Sequence, residues 1–185
     1  VELEEYIQFI SDNSKRINVL VKDLVDYSKA CNQQFKNESI DFNFVFSRIQ
    51  QLLENEIKTS KATINFHHKV SKVSGDQNKF IELFKHTIKN SLLYQNKEHH
   101  PEIEIVIEKN KNNLLIEVKD NGIGINKKNH KIIFEPYRRL HSYDEYPGSG
   151  LGLAICQKIV ENLGGKIWVY SNENQGTSIF MTIPQ

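Results

Sequence analysis

The chain has 185 residues and a net charge of +1. This length suits one domain with its own hydrophobic core plus an attached helix, and it is short for two full domains. Because 24 Lys and Arg balance 23 Asp and Glu, no general electrostatic attraction to nucleic acid or to an anionic membrane is expected. Two cysteines without metal-type spacing exclude a disulfide framework and indicate a reducing compartment.

Membrane and secretion signals are not expected. No apolar run approaches 18 residues, and the N-terminal residues carry neither a basic region nor a hydrophobic stretch. We therefore expect a cytoplasmic location, with membrane attachment of the intact protein left open. The sequence does not begin with Met, and we expect it to be a fragment of a longer protein.

Residues 1–31 are predicted to form one amphipathic helix, because apolar or small residues recur at alternating spacings of four and three. The positions are Leu3, Ile7, Ile10, Ser14, Ile17, Val21, Leu24 and Ser28. Such a stripe must be covered, and we favour a dimerising helical bundle over packing against the chain's own domain.

A polar linker is expected over residues 32–39, followed by one domain over residues 40–185 that mixes helices with mainly antiparallel strands. Helices are predicted over 42–57, 76–94 and 151–163. Strands are predicted over 62–66, 70–73, 102–108, 114–119, 166–170 and 177–183. These elements predict an α+β fold, a two-layer sandwich of one sheet with helices stacked on one face.

Glycine placement indicates where the chemistry lies. Eight of the nine glycines fall within residues 122–176, and glycine is used where backbone turns tightly or approaches a ligand. The first motif is Asp120-Asn-Gly-Ile-Gly124, at the end of a predicted strand. By itself it is typical of a surface turn. As a binding motif, the carboxylate would accept a hydrogen bond from an exocyclic amine, which favours adenine over guanine.

The second motif is Pro147-Gly-Ser-Gly-Leu-Gly-Leu-Ala154, which enters a predicted helix. Backbone N–H groups at a helix start, freed from side-chain crowding by glycine, can hold phosphate. The spacing Gly-x-Gly-x-Gly matches neither the dinucleotide-binding fingerprint nor the Walker pattern.

The third motif is Asn90, with His86 and Tyr94 one turn to either side on the same helix face. Asparagine is unfavourable inside a helix, so a compensating role is expected. It is either a solvated polar position or an amide oxygen that ligates Mg²⁺.

Taken in chain order, these motifs resemble the ATP-binding catalytic domain of sensor histidine kinases, closest to the phytochrome-like and PAS-linked group. The segment 133–148 is similar to that family's ATP lid, and residues 1–31 resemble the second helix of its dimerisation and phosphoacceptor hairpin. The resemblance implies a GHKL-type (Bergerat) fold and a protein histidine kinase that uses ATP and Mg²⁺. It also implies a homodimer in the intact protein and a response regulator receiver domain as partner.

The resemblance implies a role for each matched position. Asn90 would hold Mg²⁺ and Arg139 would reach phosphate from the lid, and these two are the expected catalytic residues. The expected nucleotide-binding residues are Asp120, Gly122, Gly124, Gly148, Gly150, Leu151, Gly152, Thr177, Tyr94 and His86. In the family, the γ-phosphoryl group passes to a histidine on the first hairpin helix and then to an aspartate of the regulator.

Three departures from the family pattern are present. The helix with the acceptor histidine is absent, so we expect no autophosphorylation by this chain alone. His86 stands where the family often has Asn, and Leu93 where it often has a phosphate-contacting Lys, for which Lys89, Lys97 or Arg139 could substitute. The alternative is therefore a catalytically weak nucleotide-binding or dimerisation module, and a gyrase- or chaperone-type ATPase is a third, disfavoured hypothesis.

Overall fold

The computed structural model describes residues 2–32, 35–70, 73–96, 98–110, 112–143 and 145–185. The helices are α1 (Glu2–Asn32), α2 (Phe42–Leu52), α3 (Glu54–Ser60), α4 (Gln77–Leu93) and α5 (Gly152–Asn162). The strands are β1 (Glu38–Ser39), β2 (Thr63–His68), β3 (Ser74–Gly75), β4 (Glu102–Asn110), β5 (Asn113–Asp120), β6 (Lys166–Ser171) and β7 (Thr177–Pro184). Two short 3-10 helices, Lys127–Asn129 and Ile132–Phe134, lie between β5 and α5.

The main sheet has the strand order β2-β4-β5-β7-β6. β2 runs parallel to β4, and the other neighbouring pairs are antiparallel. Alternate residues such as Ile103, Ile105 and Ile107 are fully buried on one face, where α4 and α5 pack. The predicted α+β two-layer sandwich is confirmed.

Local sequence sets the position of α4 and therefore of the site. Asp76 caps the helix by accepting hydrogen bonds from the backbone N–H groups of Asn78 and Lys79, at 3.0 and 3.3 Å, which satisfies two free amides of its first turn. Phe80 and Phe84 are buried in the core. The C-terminal turn of α4 consequently comes to lie beside the end of β5.

A small second sheet differs from expectation. β1 falls within the segment expected to be a linker, and it pairs with β3 in antiparallel register, Glu38 opposite Gly75. The short strand expected over 70–73 is not found at Val70 or Val73, and the strand described in this region is Ser74–Gly75. Residues 33–34 of the expected linker and 71–72 of the expected strand lie outside the described residues.

Near its C-terminal end, α1 packs on the domain. Ala30 is fully buried, and the Asn162 side chain on α5 donates a hydrogen bond to the Ala30 carbonyl at 2.6 Å. By contrast, Leu3, Ile10 and Ile17 are 72%, 66% and 59% exposed. Most of the predicted apolar stripe is therefore bare in this chain.

Among the described residues, no helix is both long enough and apolar enough to cross a membrane.

Candidate functional site

A cleft opens where four parts of the fold meet: the C-terminal turn of α4, the end of β5, the start of α5 and the lid, which we define as residues 133–148. Its empty space, counted out to the open mouth, is about 940 Å³. Nine of the twelve predicted site residues line it: Asn90, Tyr94, Asp120, Gly124, Arg139, Gly148, Gly150, Gly152 and Thr177. The motifs, far apart in sequence, thus share one concave surface.

Asp120 is held at one end of the cleft by three hydrogen-bond donors. The backbone N–H groups of Gly122 and Thr177 donate to Oδ1 at 2.9 and 3.1 Å. The Ser91 hydroxyl donates to Oδ2 at 2.9 Å. A carboxylate oxygen accepts about two hydrogen bonds. Oδ1 is therefore saturated, and Oδ2 retains one acceptor position as far as the described residues show.

The environment of Asp120 acts on its pKa in two directions. Burial raises the pKa of this carboxyl above its usual range, and the hydrogen bonds from Gly122, Ser91 and Thr177 oppose that rise. Those donors stabilise the ionised form, which is the form that can accept a hydrogen bond at both oxygens.

Gly124 shows why this end of the cleft requires glycine. Its φ is +69°, a conformation that L side chains rarely adopt. A Cβ there would lie 1.9 Å from the Asn172 carbonyl oxygen. Gly122 does not line the cleft; its amide instead fixes Asp120. The next residue, Ile123, donates its N–H to the Tyr94 carbonyl at 3.0 Å, joining the end of β5 to the end of α4.

The start of α5 forms the other end of the cleft. An added Cβ on Gly148 would meet no atom of the described residues within 4 Å, and Gly150 has a φ of +74°. We call the backbone amides from Gly148 to Gly152 the cradle. The Leu151 side chain is fully buried in the core, so only its backbone N–H belongs to the cradle, where it donates to Ser149 Oγ at 3.2 Å.

Asn90 and His86 both face the first residue of α5. From the position that a Cβ on Gly152 would take, Asn90 Oδ1 is 3.8 Å and His86 Nδ1 3.4 Å away. His86 does not line the cleft, and it is only 8% exposed. Burial, with Lys85 and Lys89 nearby, lowers its pKa to about 3. Among the residues that the structure describes, its buried Nε2 has no hydrogen-bond partner.

The donor set fits a magnesium ion held through phosphates. No group of three or more His, Cys, Asp or Glu side chains that could hold a metal occurs in the part of the chain that the structure describes. Asn90 supplies one amide oxygen beside the cradle. Mg²⁺ commonly takes one or two protein oxygens and completes its shell with water and substrate phosphates, so a single oxygen at this place is compatible with it.

The lid is folded over the end of α4. Tyr94 packs against the rings of Tyr146 and His141, with centroid separations of 4.9 and 5.8 Å. Arg139 lines the cleft, but its guanidinium is engaged within the lid, where it donates to the Tyr146 carbonyl at 2.8 Å. It also lies 5.2 Å from the centre of the Tyr143 ring.

The departure at position 93 is visible in the cleft. Leu93 lines it where the family resemblance places a lysine. Of the cations considered as substitutes, Arg139 lines the cleft, Lys89 is exposed and outside the lining, and Lys97 lies outside the described residues. Arg138, not among the predicted site residues, lines the cleft as well.

Several residues of the site were missed by sequence reasoning. Ser91 binds Asp120, and Ser171 accepts a hydrogen bond from the Ile125 amide at 2.8 Å, fixing the segment after Gly124. The sequence did contain a signal for Ser91. Thr87 and Ser91 are small polar residues one turn apart on α4, on the face of the helix that leads to the predicted site residue Tyr94. The missed apolar walls are Ile123, Ile125, Ile133, Leu153 and Ile179.

Comparison with known proteins identifies the fold and its family. Residues 75–185 match the family model of the histidine kinase-, DNA gyrase B- and HSP90-like ATPases. The chain belongs to this family. Among solved structures, full-length ShkA in complex with AMPPNP superposes with a TM-score of 0.81 at 16% identity, covering all of this chain and 39% of that one. Histidine kinase ThkA in complex with the response regulator protein TrrA superposes with a TM-score of 0.74 at 24% identity, covering 98% of this chain and 51% of that one.

The predicted resemblance to sensor histidine kinases is confirmed by sequence relatives, which include a sensor protein kinase. Cyanobacterial phytochrome A of a Nostoc species is 32% identical over 183 residues, which is 99% of this chain and 24% of the relative. Sensor protein kinase WalK of Staphylococcus aureus is 33% identical over 184 residues, 97% of this chain and 44% of the relative. The chain thus spans 24% and 44% of the lengths of these two relatives.

Proposed function

We propose that this chain binds Mg-ATP in the cleft and transfers its γ-phosphoryl group to a histidine nitrogen on a helix of the longer protein, with ADP leaving. The observation that supports this best is the arrangement of the cleft: a buried carboxylate with one unused acceptor position at one end and a glycine-lined helix start at the other. This pattern is complementary to a purine amine joined to a phosphate chain.

The cleft residues have two kinds of role: some recognise the adenine base, and others bind or neutralise the charged phosphates. Asp120 accepts a hydrogen bond from the adenine amine through Oδ2, with Gly122 and Thr177 fixing the carboxylate. The cradle binds phosphate oxygens, and Arg139 reaches the same oxygens when it leaves the Tyr146 carbonyl. Asn90 would hold Mg²⁺, which would supply positive charge to offset the negative charge of the phosphates during transfer. Positioning and charge stabilisation supply most of such catalysis.

Partners and location follow from the same proposal. We propose a response regulator receiver domain as the recipient of the phosphoryl group, a homodimer formed through α1 in the intact protein, and a cytoplasmic location for this part of the chain. We also propose residues 1–31 as part of the dimerisation hairpin, 32–39 as a linker and 40–185 as the catalytic domain. The net charge of +1 gives no reason to add nucleic acid as a partner.

A specific observation favours a second candidate function, a nucleotide-binding or dimerisation module without efficient transfer. Leu93 presents an apolar side chain to the cleft where a lysine would contact phosphate. The two candidates are distinguished with a longer protein that includes the upstream helix, incubated with radiolabelled ATP. Acid-labile phosphate on the protein supports the kinase, and its absence despite ATP binding supports the module.

The role of Asp120 is tested by the substitution Asp120→Asn. Two backbone N–H groups already donate to Oδ1, so the oxygen of the new amide must stay there and its NH₂ group must replace Oδ2. The NH₂ group of the asparagine would then face the adenine amine, and because both are hydrogen-bond donors, no hydrogen bond could form between them. We expect ATP affinity, measured by calorimetry, to fall about ten- to a hundredfold, as the loss of a charge-assisted hydrogen bond predicts.

The matched control is Glu117→Gln, which makes the same chemical change on β5 at a position outside the cleft lining. It should leave ATP affinity unchanged. Equal ATP affinity for Asp120→Asn and the unmodified chain would show that Asp120 does not recognise the base.

A further inference from the structure

One acidic side chain of α1 contacts the segment that carries the cradle. Asp23 accepts a hydrogen bond from the hydroxyl of Ser149, a residue 126 positions later in the chain. Ser149 stands between Gly148 and Gly150 and is itself buried. The contact therefore joins α1 directly to the cradle.

Ser149 relays this contact to the start of α5. Its Oγ donates to Asp23 and accepts the backbone N–H of Leu151 at 3.2 Å. The free N–H groups of a helix start carry partial positive charge and attract anions. In this arrangement a carboxylate of the chain itself lies at the positive end of α5, one hydroxyl away from an amide of the cradle.

A second contact lies on the same face of α1. The Arg16 guanidinium is 4.1 Å from the centre of the Tyr143 ring in the lid, and Arg139 is 5.2 Å from that ring. Arg16 and Asp23 are seven residues apart, which is two helical turns and places them on one face. That face of α1 therefore contacts both the lid, beside Arg139, and the cradle.

We propose that α1 is an autoinhibitory element of the nucleotide site, with Asp23 acting as an internal anion that opposes the phosphates of ATP. The inference depends on the proposed function of the cleft as an ATP site. Because Asp23 and the phosphates carry like charge and use the same helix start, each weakens the binding of the other. By linkage, displacement of α1 strengthens ATP binding, and bound ATP favours displacement of α1.

The test is the substitution Asp23→Asn in the full chain, which removes the charge and keeps a side chain able to accept from Ser149. We expect Mg-ATP to bind about three- to tenfold more tightly by calorimetry, the size expected of one partly buried charge close to the phosphates. The gain should shrink at high salt. Adenosine, which has no phosphate, should bind the variant and the unmodified chain equally in an NMR titration.

Asp12→Asn is the matched control, since it removes the same charge from the same helix three turns further from the cradle. It should leave ATP affinity unchanged. A gain from Asp12→Asn equal to that from Asp23→Asn would overturn the inference, because the effect would then be one of overall charge. A gain for adenosine as large as that for ATP would overturn it as well.

The outcome also separates this inference from the proposed function. If ATP binds the unmodified chain and depends on Asp120, yet Asp23→Asn changes affinity less than twofold, the proposed function stands and the autoinhibitory contact is refuted. If ATP does not bind even to Asp23→Asn, both are refuted. Circular dichroism verifies that Asp23→Asn folds. Should it not fold, Ser149→Ala, which removes the hydroxyl that holds Asp23, is expected to give the same direction of change, and weaker binding would refute the contact.

Discussion

His86 links the protonation of a single buried side chain to the stability of the fold. Its folded-state pKa is lowered to about 3 from an ordinary value of 6.5. Below pH 6.5 the unfolded chain takes up a proton at this position while the folded chain does not. The stabilising contribution is therefore complete above pH 6.5 and is lost as the pH falls toward 3, at about 1.4 kcal/mol per pH unit.

We predict that His86→Asn makes the stability of the fold less sensitive to acid. Urea unfolding measured at several pH values between 6.5 and 4 should show a shallower fall in the free energy of unfolding for the variant. The control is His67→Asn, since His67 lies exposed on β2 and should leave the slope as it is. Equal slopes for the unmodified chain and His86→Asn would contradict the prediction.

At this scale the sequence predicted Asp120, Asn90 and most of the glycines because each carries its own local signal: a strand end, a costly helix position, or a turn. Ser91 had a weaker signal, because its role depends on a contact made only in the folded chain. Its hydroxyl lies 2.9 Å from Oδ2 of Asp120, the last residue of β5. The present position of Arg139 could not be predicted either. It is set by Tyr143 and Tyr146, which only the folded lid brings together.

At the scale of elements, α1 is bare along most of its apolar stripe. Ile10 and Ile17 are 66% and 59% exposed, so they contribute little to the free energy of folding of this chain. We predict that the double substitution Ile10→Ser and Ile17→Ser changes that free energy by less than about 0.5 kcal/mol, as is usual for exposed sites. If the stripe is the surface through which copies associate, the same variant should weaken any concentration-dependent association in sedimentation experiments.

Ala30 provides the contrast within the same helix. It is fully buried against the domain, and Ala30→Leu should lower the melting temperature because an overfilled core costs about 1 to 3 kcal/mol. A lower melting temperature for the double serine variant as well would show that the stripe is covered within the chain. If the double serine variant associates as strongly as the unmodified chain, the stripe is not the surface through which copies associate.

Element prediction succeeded where periodicity extends over several turns or residues. The hairpin of β4 and β5 follows from period-two alternation, and α1 follows from its stripe. The pairing of β1 with β3 could not be predicted, because two residues are too few to show a period and their partners are more than 30 residues away. The parallel pairing of β2 with β4 also became known only from the structure, because the paired residues are more than 30 positions apart in the chain.

At the scale of the whole molecule, the core between the sheet and the helices shields one of the two thiols. Cys156 on α5 is fully buried, and burial raises its pKa to about 12, whereas Cys31 is exposed. Since the thiolate is the reactive form, Cys156 can be labelled only when the molecule opens. We predict that a thiol reagent modifies one cysteine per chain rapidly, and the second at least about a thousandfold more slowly, given the usual free energy of opening.

The slow reaction also reports nucleotide binding across the molecule. A ligand that binds only the folded state lowers the opened population by the factor 1 + [L]/Kd. Saturating Mg-ATP should therefore slow the labelling of Cys156 in the unmodified chain, and Asp120→Asn should abolish that slowing. Cys31→Ser removes the fast phase and isolates the slow one for measurement. Labelling of Cys156 as fast as that of Cys31 would show that the two layers open without unfolding, and slowing by ATP that survives Asp120→Asn would place the base away from β5.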